Sequence, residues 1–378
     1  MVSIAFTGGG TGGHIYPGLA VASRIKKSFP CRIFWIGSST GMDRAIVEKA
    51  GIEFFGIPSG KLRRYFSLKN ISDIFRVISG FFAALSILKR ERPRLLFSKG
   101  GFVSVPPCAA AKFLKIPAFT HESDFSPGLA TRINSRFAEK IFIPYSESKI
   151  FYRDEDGERI LVSGNPVRDE FAGADPVKGR AFLGLAEDER ILLVLGGSLG
   201  SREINDLVKA CLPELTRYYT VIHQTGKNNH NFFQTATEKY KFYEYFRDEI
   251  PHIIAAAELV LCRGGAGTIW ECKSLHKPMI LVPLSGSGTR GDQVENALLF
   301  EKAGAAVCLT CETPDHYGRK LSSTELLPAK PSPANLSRLV AALYEDSERR
   351  RAMGEAMITE CNAAAFIADE IVQRIREG

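Results

Sequence analysis

Short apolar runs alternate with helix-spaced segments along most of the chain, and this alternation narrows the possible fold more than any other feature. MVSIAF, RIFWIG, RLLFSKG, PAFTHE and KIFIPY carry apolar residues in near-continuous runs, which predicts strands covered on both faces. Between the first two, GLAVASRIKKSF places Leu19, Ala22, Ile25 and Phe29 at the spacing of one helix face. Strand and helix repeated in series predict parallel sheets with helices on both sides.

The pattern restarts after the polar stretch YRDEDGER, with ILVSGNPVRDEF and RILLVLGGSLGSREIN, then YTVIHQTG, ELVLCRGGAGTIWE and KPMILVPL. A chain of 378 residues exceeds one hydrophobic core. The expected architecture is therefore α/β, with two doubly wound, Rossmann-like halves, residues 1–163 and 164–361, joined near Gly164-Asn165-Pro166. A charged helical tail, about 362–378, is expected to return to the first half. Open α/β sheets take ligands at the carboxyl ends of their strands, so the two sheets are expected to face a central cleft.

Composition excludes several classes. The formal net charge of +7 suits anionic partners such as phosphates or acidic lipid and is too small to argue for nucleic acid. The eight cysteines are scattered. Cys308 and Cys311 form one CxxC with no second pair to complete a metal site, so reduced thiols are expected. Asp154 and Asp156 make a D-x-D in a charged run with no strand before it, which reads as a solvated loop; no metal and no cofactor are assigned. Glycine-rich sequence follows the first strand at once, so no secretory leader is expected. The run Val77 to Leu88 is too short to span a bilayer, leaving a soluble protein or one resting on a membrane surface.

Three glycine-rich turns each follow a strand. In the first, Gly8, Gly10 and Gly13 spell the dinucleotide pattern G-x-G-x-x-G. The second strand, however, ends at Ser38 and Ser39 without the acid that a nicotinamide ribose needs, and no lysine follows to make a P-loop. The second turn is Gly196 to Gly200, and the third runs Arg263 to Thr268. Each opens a helix whose N-terminus carries about half a positive charge, which favours a diphosphate guest. Arg168 is a candidate cation for it, and Glu271 a candidate partner for a ribose diol or simply a complement to its helix dipole. His14 is either a general base or a packing residue, with His121, Glu122 and Asp124 as rival bases. Lys61, Arg63, Arg64 and Lys69 stand beside Tyr65 and Phe66, ahead of a helix-spaced stripe of Ile71, Ile74, Phe75, Ile78 and Phe82. That stripe reads as core-facing, or as a contact with an anionic membrane.

Seven motifs occur in order: GGGTGGHIYPGLAVA, KGGFVSVP, HESDFSPG, GNPVR, GGSLGS, CRGGAGTIWE and DQVENALLFEKAGAA. Together they resemble the MurG family of bacterial cell-wall glycosyltransferases, from the first turn to about residue 305. The resemblance implies the GT-B fold. It also implies transfer of N-acetylglucosamine from UDP-N-acetylglucosamine to the C4 hydroxyl of the muramyl sugar of lipid I, the undecaprenyl-diphosphate-linked muramyl pentapeptide. Lipid II is formed with inversion and without a metal held by D-x-D, at the cytoplasmic face of the inner membrane. By the same resemblance, contacts to UDP-N-acetylglucosamine fall on Thr11, Gly12, Gly13, Asp124, Arg168, Ser198, Arg247, Ala266, Gly267, Thr268, Glu271 and Gln293, with His14 or Asp124 as the base. Two positions depart from the family: HESD puts Asp124 where the family has Asn, which also alters a substrate contact, and Leu199 replaces a glutamine.

Overall fold

The computed structural model describes residues 1–60, 68–197, 200–227, 229, 236–286, 289–310, 331–356 and 362–377, with the backbone alone at 68–72. The chain divides into two compact units, one of Met1–Arg168 with Thr359–Gly378, the other of Asp169–Ile358. Arg168 therefore belongs to the first unit, a few residues beyond the boundary read from GNPVR.

Among the described residues the first unit has a seven-stranded parallel sheet. Its strands are β1 (Val2–Thr7), β2 (Cys31–Ser38), β3 (Glu53–Ile57), β4 (Leu95–Ser98), β5 (Ala118–His121), β6 (Lys140–Ile143) and β7 (Ile160–Val162), in the order β3-β2-β1-β4-β5-β6-β7. The apolar run ILV, which the sequence pattern places at the restart, is thus the last strand of this first sheet, parallel to β6. The second unit has six described parallel strands: β8 (Ile191–Leu195), β9 (Thr220–Gln224), β10 (Tyr240–Tyr243), β11 (Leu259–Cys262), β12 (Met279–Leu281) and β13 (Ala306–Cys308). Their order is β10-β9-β8-β11-β12-β13.

Both sheets reverse their winding once. In the first the reversal lies between β1 and β4, in the second between β8 and β11, each a directly paired couple. Crossovers leaving these strands go to opposite sides and open a crevice at the strands' carboxyl ends. The first glycine turn follows β1, and the second and third follow β8 and β11.

The core of the first unit is completed by the chain's last helix, Ala363–Glu377. Its Ala364, Ile367, Ala368, Ile371, Val372 and Ile375 pack with Ile4, Phe6, Val21 and Ile25 of β1 and the helix Tyr16–Ser28. At its rim Arg374 Nε lies 2.8 Å from Glu139 Oε2, and Lys140 pairs with Glu370. The helix Leu68–Glu91 buries Ala84 and Leu88, but leaves Ile74, Phe75, Ile78 and Phe82 48, 68, 48 and 62% exposed. A core-facing stripe would be covered, so the face marked by these residues is not a core face.

Ile371 is fully buried in this helix-to-sheet packing. Truncating it leaves a cavity lined by the first-unit core, and Ile371→Ala is expected to destabilise the protein by about 2–5 kcal/mol, read from the midpoint of urea unfolding.

Candidate functional site

In the first unit the glycine turn after β1 is held by a residue the sequence reading passed over. Asp43 is fully buried, and its carboxylate accepts from Gly10 N at 3.0 and 3.2 Å and from Ser38 N at 3.0 Å. An acid does stand beyond the second strand, then, but both its oxygens serve backbone amides rather than a ribose. A Cβ at Gly9 would lie 1.9 Å from Asp43 Oδ2, and Gly10, at φ +86°, would meet the Phe102 ring at 2.6 Å. Trp35 Nε1 donates to Gly8 O at 2.9 Å from beneath. These three glycines are required by packing.

Gly13 is different. Around it the nearest atom of the described residues to a Cβ is Thr11 Oγ1 at 3.9 Å, and its backbone needs no unusual φ. Thr11 and Gly13 are exposed and Gly12 half-buried, at the short 3-10 turn Gly12–His14 that leads into the helix Tyr16–Ser28. This run presents bare backbone amides at a helix N-terminus, a ready anion cradle.

His14 is half-buried and lies on the turn after β4, across the switch point. A Cβ at Gly101, where φ is +79°, would come within 3.0 Å of His14 Cδ2, so only glycine lets the ring sit there. The imidazole is thus placed by the KGG motif, which answers why that motif accompanies the first turn.

The HESD segment sorts its own members. His121 is fully buried with Nε2 3.0 Å from Gly164 O, and burial, with the nearby Lys99 charge, holds its imidazole well below the usual histidine range. Glu122 accepts from the backbone amides of Ser123, Asp124 and Gly128 at 2.8, 3.2 and 3.0 Å, which fixes the turn. Neither is presented to a ligand. Asp124, by contrast, is half-buried. Arg168 stacks its guanidinium over the Tyr16 ring at 5.0 Å, within the first unit and beside the first turn's helix.

In the second unit, one arginine joins the two glycine turns. Arg263 donates from Nη2 to Ser201 Oγ at 2.5 Å and from Nη1 to Glu203 Oε2 at 2.5 Å and Val282 O at 3.0 Å. Ser201 caps the helix Arg202–Ala210, accepting from Ile204 N at 3.2 Å. Gln224 adds a second brace: its Nε2 donates to Gly197 O at 3.1 Å, and its Oε1 accepts from Phe246 N at 2.9 Å. That bond sets exposed Arg247, the next residue, at the edge of the second turn. Ser198 and Leu199 lie outside the described residues.

The third turn packs on the helix Asp292–Lys302. A Cβ at Gly264 would come 2.3 Å from Gln293 O, and buried Asn296 donates to Gly264 O at 3.1 Å. Gln293 Oε1 accepts from Leu284 N at 2.9 Å, so this side chain orders the loop after β12. By contrast, no atom of the described residues lies within 4 Å of a Cβ at Gly265 or Gly267. Ala266, Gly267 and Thr268 form the first turn of the helix Ala266–Ser274, and Glu271 stands half-buried one turn further on. The D-x-D is the first turn of a 3-10 helix, with Asp156 paired to Arg159. Among the described residues no three histidine, cysteine or acidic side chains cluster to hold a metal ion. Cys311 and the basic run Lys61 to Phe66 lie outside the described residues, as do the side chains of Lys69 and Ile71.

Comparison with known proteins bears on both units. The family model described as the glycosyltransferase family 28 N-terminal domain matches residues 4–143, and that of the C-terminal domain matches 191–328. A Treponema denticola protein is 47% identical over 342 residues, covering 85% of this chain and 88% of its own. One from Shouchella clausii is 40% identical over 377 residues and covers both chains completely. Both are named UDP-N-acetylglucosamine--N-acetylmuramyl-(pentapeptide) pyrophosphoryl-undecaprenol N-acetylglucosamine transferase. Among solved structures, Acinetobacter baumannii MurG is similar at a TM-score of 0.70 and 21% identity, covering 99% of this chain and 100% of that one. UDP-GlcNAc 2-epimerase from Neisseria meningitidis, bound to UDP-GlcNAc, gives 0.68 at 14% identity and full coverage of both chains. At these identities the structures speak for the two-sheet GT-B fold alone.

Removing the Asp43 clamp strands two amides at the base of the first turn. Asp43→Ala is expected to destabilise the fold by roughly 1–3 kcal/mol, measured by denaturation followed through the fluorescence of Trp35, which bonds to the same turn.

Proposed function

The chain belongs to glycosyltransferase family 28, and from that premise we propose that it transfers N-acetylglucosamine from UDP-N-acetylglucosamine to the lipid-linked muramyl pentapeptide, making lipid II for peptidoglycan. It is a hexosyltransferase. The observation that carries the choice of donor and acceptor is the end-to-end identity with the Shouchella clausii transferase, which leaves no segment of either chain unmatched. The epimerase likeness is one of fold.

The roles divide between the units. The second unit holds the donor: bare amides at Ala266, Gly267 and Thr268 and the preceding turn approach the sugar and diphosphate, and Glu271 accepts from the ribose hydroxyls. Arg247 offers its main chain to the uracil, Ser198 binds the diphosphate, and Gln293 lines the sugar pocket. The first unit holds the acceptor, with Thr11, Gly12 and Gly13 against a phosphate and Arg168 stacked nearby to add positive charge. His14 or Asp124 removes the proton from the C4 hydroxyl. That oxygen then attacks the anomeric carbon in line as the bond to UDP breaks, which inverts the configuration. Charge growing on the departing UDP oxygen is offset by helix N-termini and by positive side chains, an effect worth several kcal/mol in such sites.

The acceptor's lipid implies a membrane surface. No described helix is long and apolar enough to cross a membrane. The exposed face of the helix Leu68–Glu91 supplies a contact instead: Phe75 and Phe82 are joined by Phe113 at 70% exposure, with Arg76, Lys112 and Lys115 exposed around them. Aromatic groups flanked by cations suit the headgroup region of an anionic leaflet, each cation adding about 1 kcal/mol. This reading places the enzyme at the cytoplasmic face of the bacterial inner membrane, with no role for nucleic acid.

The deciding assay supplies labelled UDP-N-acetylglucosamine with and without a lipid I analogue. Acceptor-dependent transfer supports the proposal, and acceptor-free epimerisation of the donor overturns it. His14→Ala is expected to lower kcat by about 10²–10⁴-fold with donor binding retained, if the imidazole is the base; survival within a few-fold reassigns that role to Asp124. Glu271→Ala is expected to raise the donor KM by about tenfold, the loss of one charge-assisted contact. Phe75→Ser with Phe82→Ser is expected to weaken co-sedimentation with anionic vesicles while transfer to a soluble acceptor analogue is unchanged.

A further inference from the structure

Lys99 is 1% exposed on the turn leaving β4, and no role assigned above uses it. Its stem passes Gly8 and Gly18, whose added Cβ atoms would stand 3.1 and 3.6 Å from Lys99 Cβ. Its Nζ donates to Ser123 Oγ at 2.6 Å, and Ser123 Oγ donates to Asn165 Oδ1 at 2.9 Å. This chain of two bonds crosses three loops at the carboxyl end of the first sheet. The next two residues, Gly100 and Gly101, are those against which the His14 ring lies.

Burial pushes the Lys99 ammonium down to about 8, while Glu122 and then Asp124 draw it back up. The groups facing it are therefore the two carboxylates, the buried His121 on β5, and His14 across the first turn. Glu122 is already met by three backbone amides. A buried ammonium destabilises a fold unless its surroundings repay the lost hydration, and an apolar side chain of equal length would serve packing better. Its presence needs a reason other than stability.

We propose that Lys99 is a positioning residue for the transfer reaction: through Ser123 and Asn165 it fixes the turn that carries Asp124 and the turn leading to Arg168, and it places a cation beside Asp124. The inference rests on the transfer reading. It also accounts for the acid at position 124, where the family has Asn, because a buried cation beside that position makes an anion the favourable occupant.

The test uses the full chain with labelled UDP-N-acetylglucosamine and a lipid I analogue. Lys99→Met keeps the stem and removes the charge. We expect a retained cooperative unfolding transition, a donor KM within about twofold, and a kcat lower by about tenfold or more. Ser123→Ala cuts both bonds and leaves every charge in place; it should lower kcat about fivefold or more with the donor KM within about twofold. A Lys99→Met enzyme with wild-type kcat overturns the inference. If that variant does not fold, an unchanged kcat in Ser123→Ala overturns it. Failure of the wild-type chain to transfer at all overturns the transfer reading and this inference with it, whereas an active wild type with indifferent variants overturns this inference alone.

Discussion

Parallel pairing of two central strands whose crossovers leave in opposite directions is the constraint on which each unit depends. β1 pairs with both β2 and β4, and β8 with both β9 and β11. Because helices cannot cover the carboxyl ends at the reversal, the loops there must satisfy their own backbone groups or leave them for a ligand. The chain does both, at different glycines of one turn. Gly8, Gly9 and Gly10 are enclosed by Trp35, Asp43 and Phe102, whereas Gly13 faces open space. The second unit repeats the division, with Gly264 against Gln293 and Gly265 and Gly267 uncovered.

Rigidity at these turns comes from buried polar side chains rather than from the turns themselves. Asp43, Glu122, Arg263 and Gln224 each bind two or more backbone or side-chain groups on neighbouring loops. Such groups stabilise only while every partner is present, and removing one leaves the rest unsatisfied in a region closed to water. The cost is accepted where geometry matters: bare amides make an effective anion site only if they do not have to reorganise when the charge arrives. Lys99 is a further instance: its burial costs hydration, which the bond to Ser123 and the nearby Glu122 and Asp124 offset.

Much of the fold was legible in the sequence. The central strands β1, β2, β4, β5, β6, β8, β9, β11 and β12 are buried through most of their length and were recognised by their apolar runs. What escaped lies at the sheet edges. β3, β10 and β13 were not recognised, and β7 was taken only as the point where the pattern restarts, although the boundary at residue 163 keeps it in the first half. Each of these four is half-covered or only three residues long: β3 carries Glu53, β10 Lys241 and β7 an exposed valine, and β13 is the three-residue run AVC. Of the candidate site, the glycine turns and His14 were visible as motifs, but the residues that hold them were not. Asp43, Lys99, Gln224 and Arg263 look like ordinary polar residues in a linear reading, because their partners lie 19 to 62 positions away for Lys99 and Arg263 and as far as 33 for Asp43.

The sequence by itself determined the α/β class, the two sheets and the place of each glycine turn, since these follow from local periodicity and from glycine's missing side chain. Tertiary structure alone decided which glycines are packing requirements and which are open, and that His121 and Glu122 are buried against backbone groups while Asp124 is half-buried. It also decided that the stripe Ile74, Phe75, Ile78 and Phe82 faces outward. Those outcomes depend on burial and on long-range hydrogen-bond partners, which exist only once distant segments of the chain are brought together.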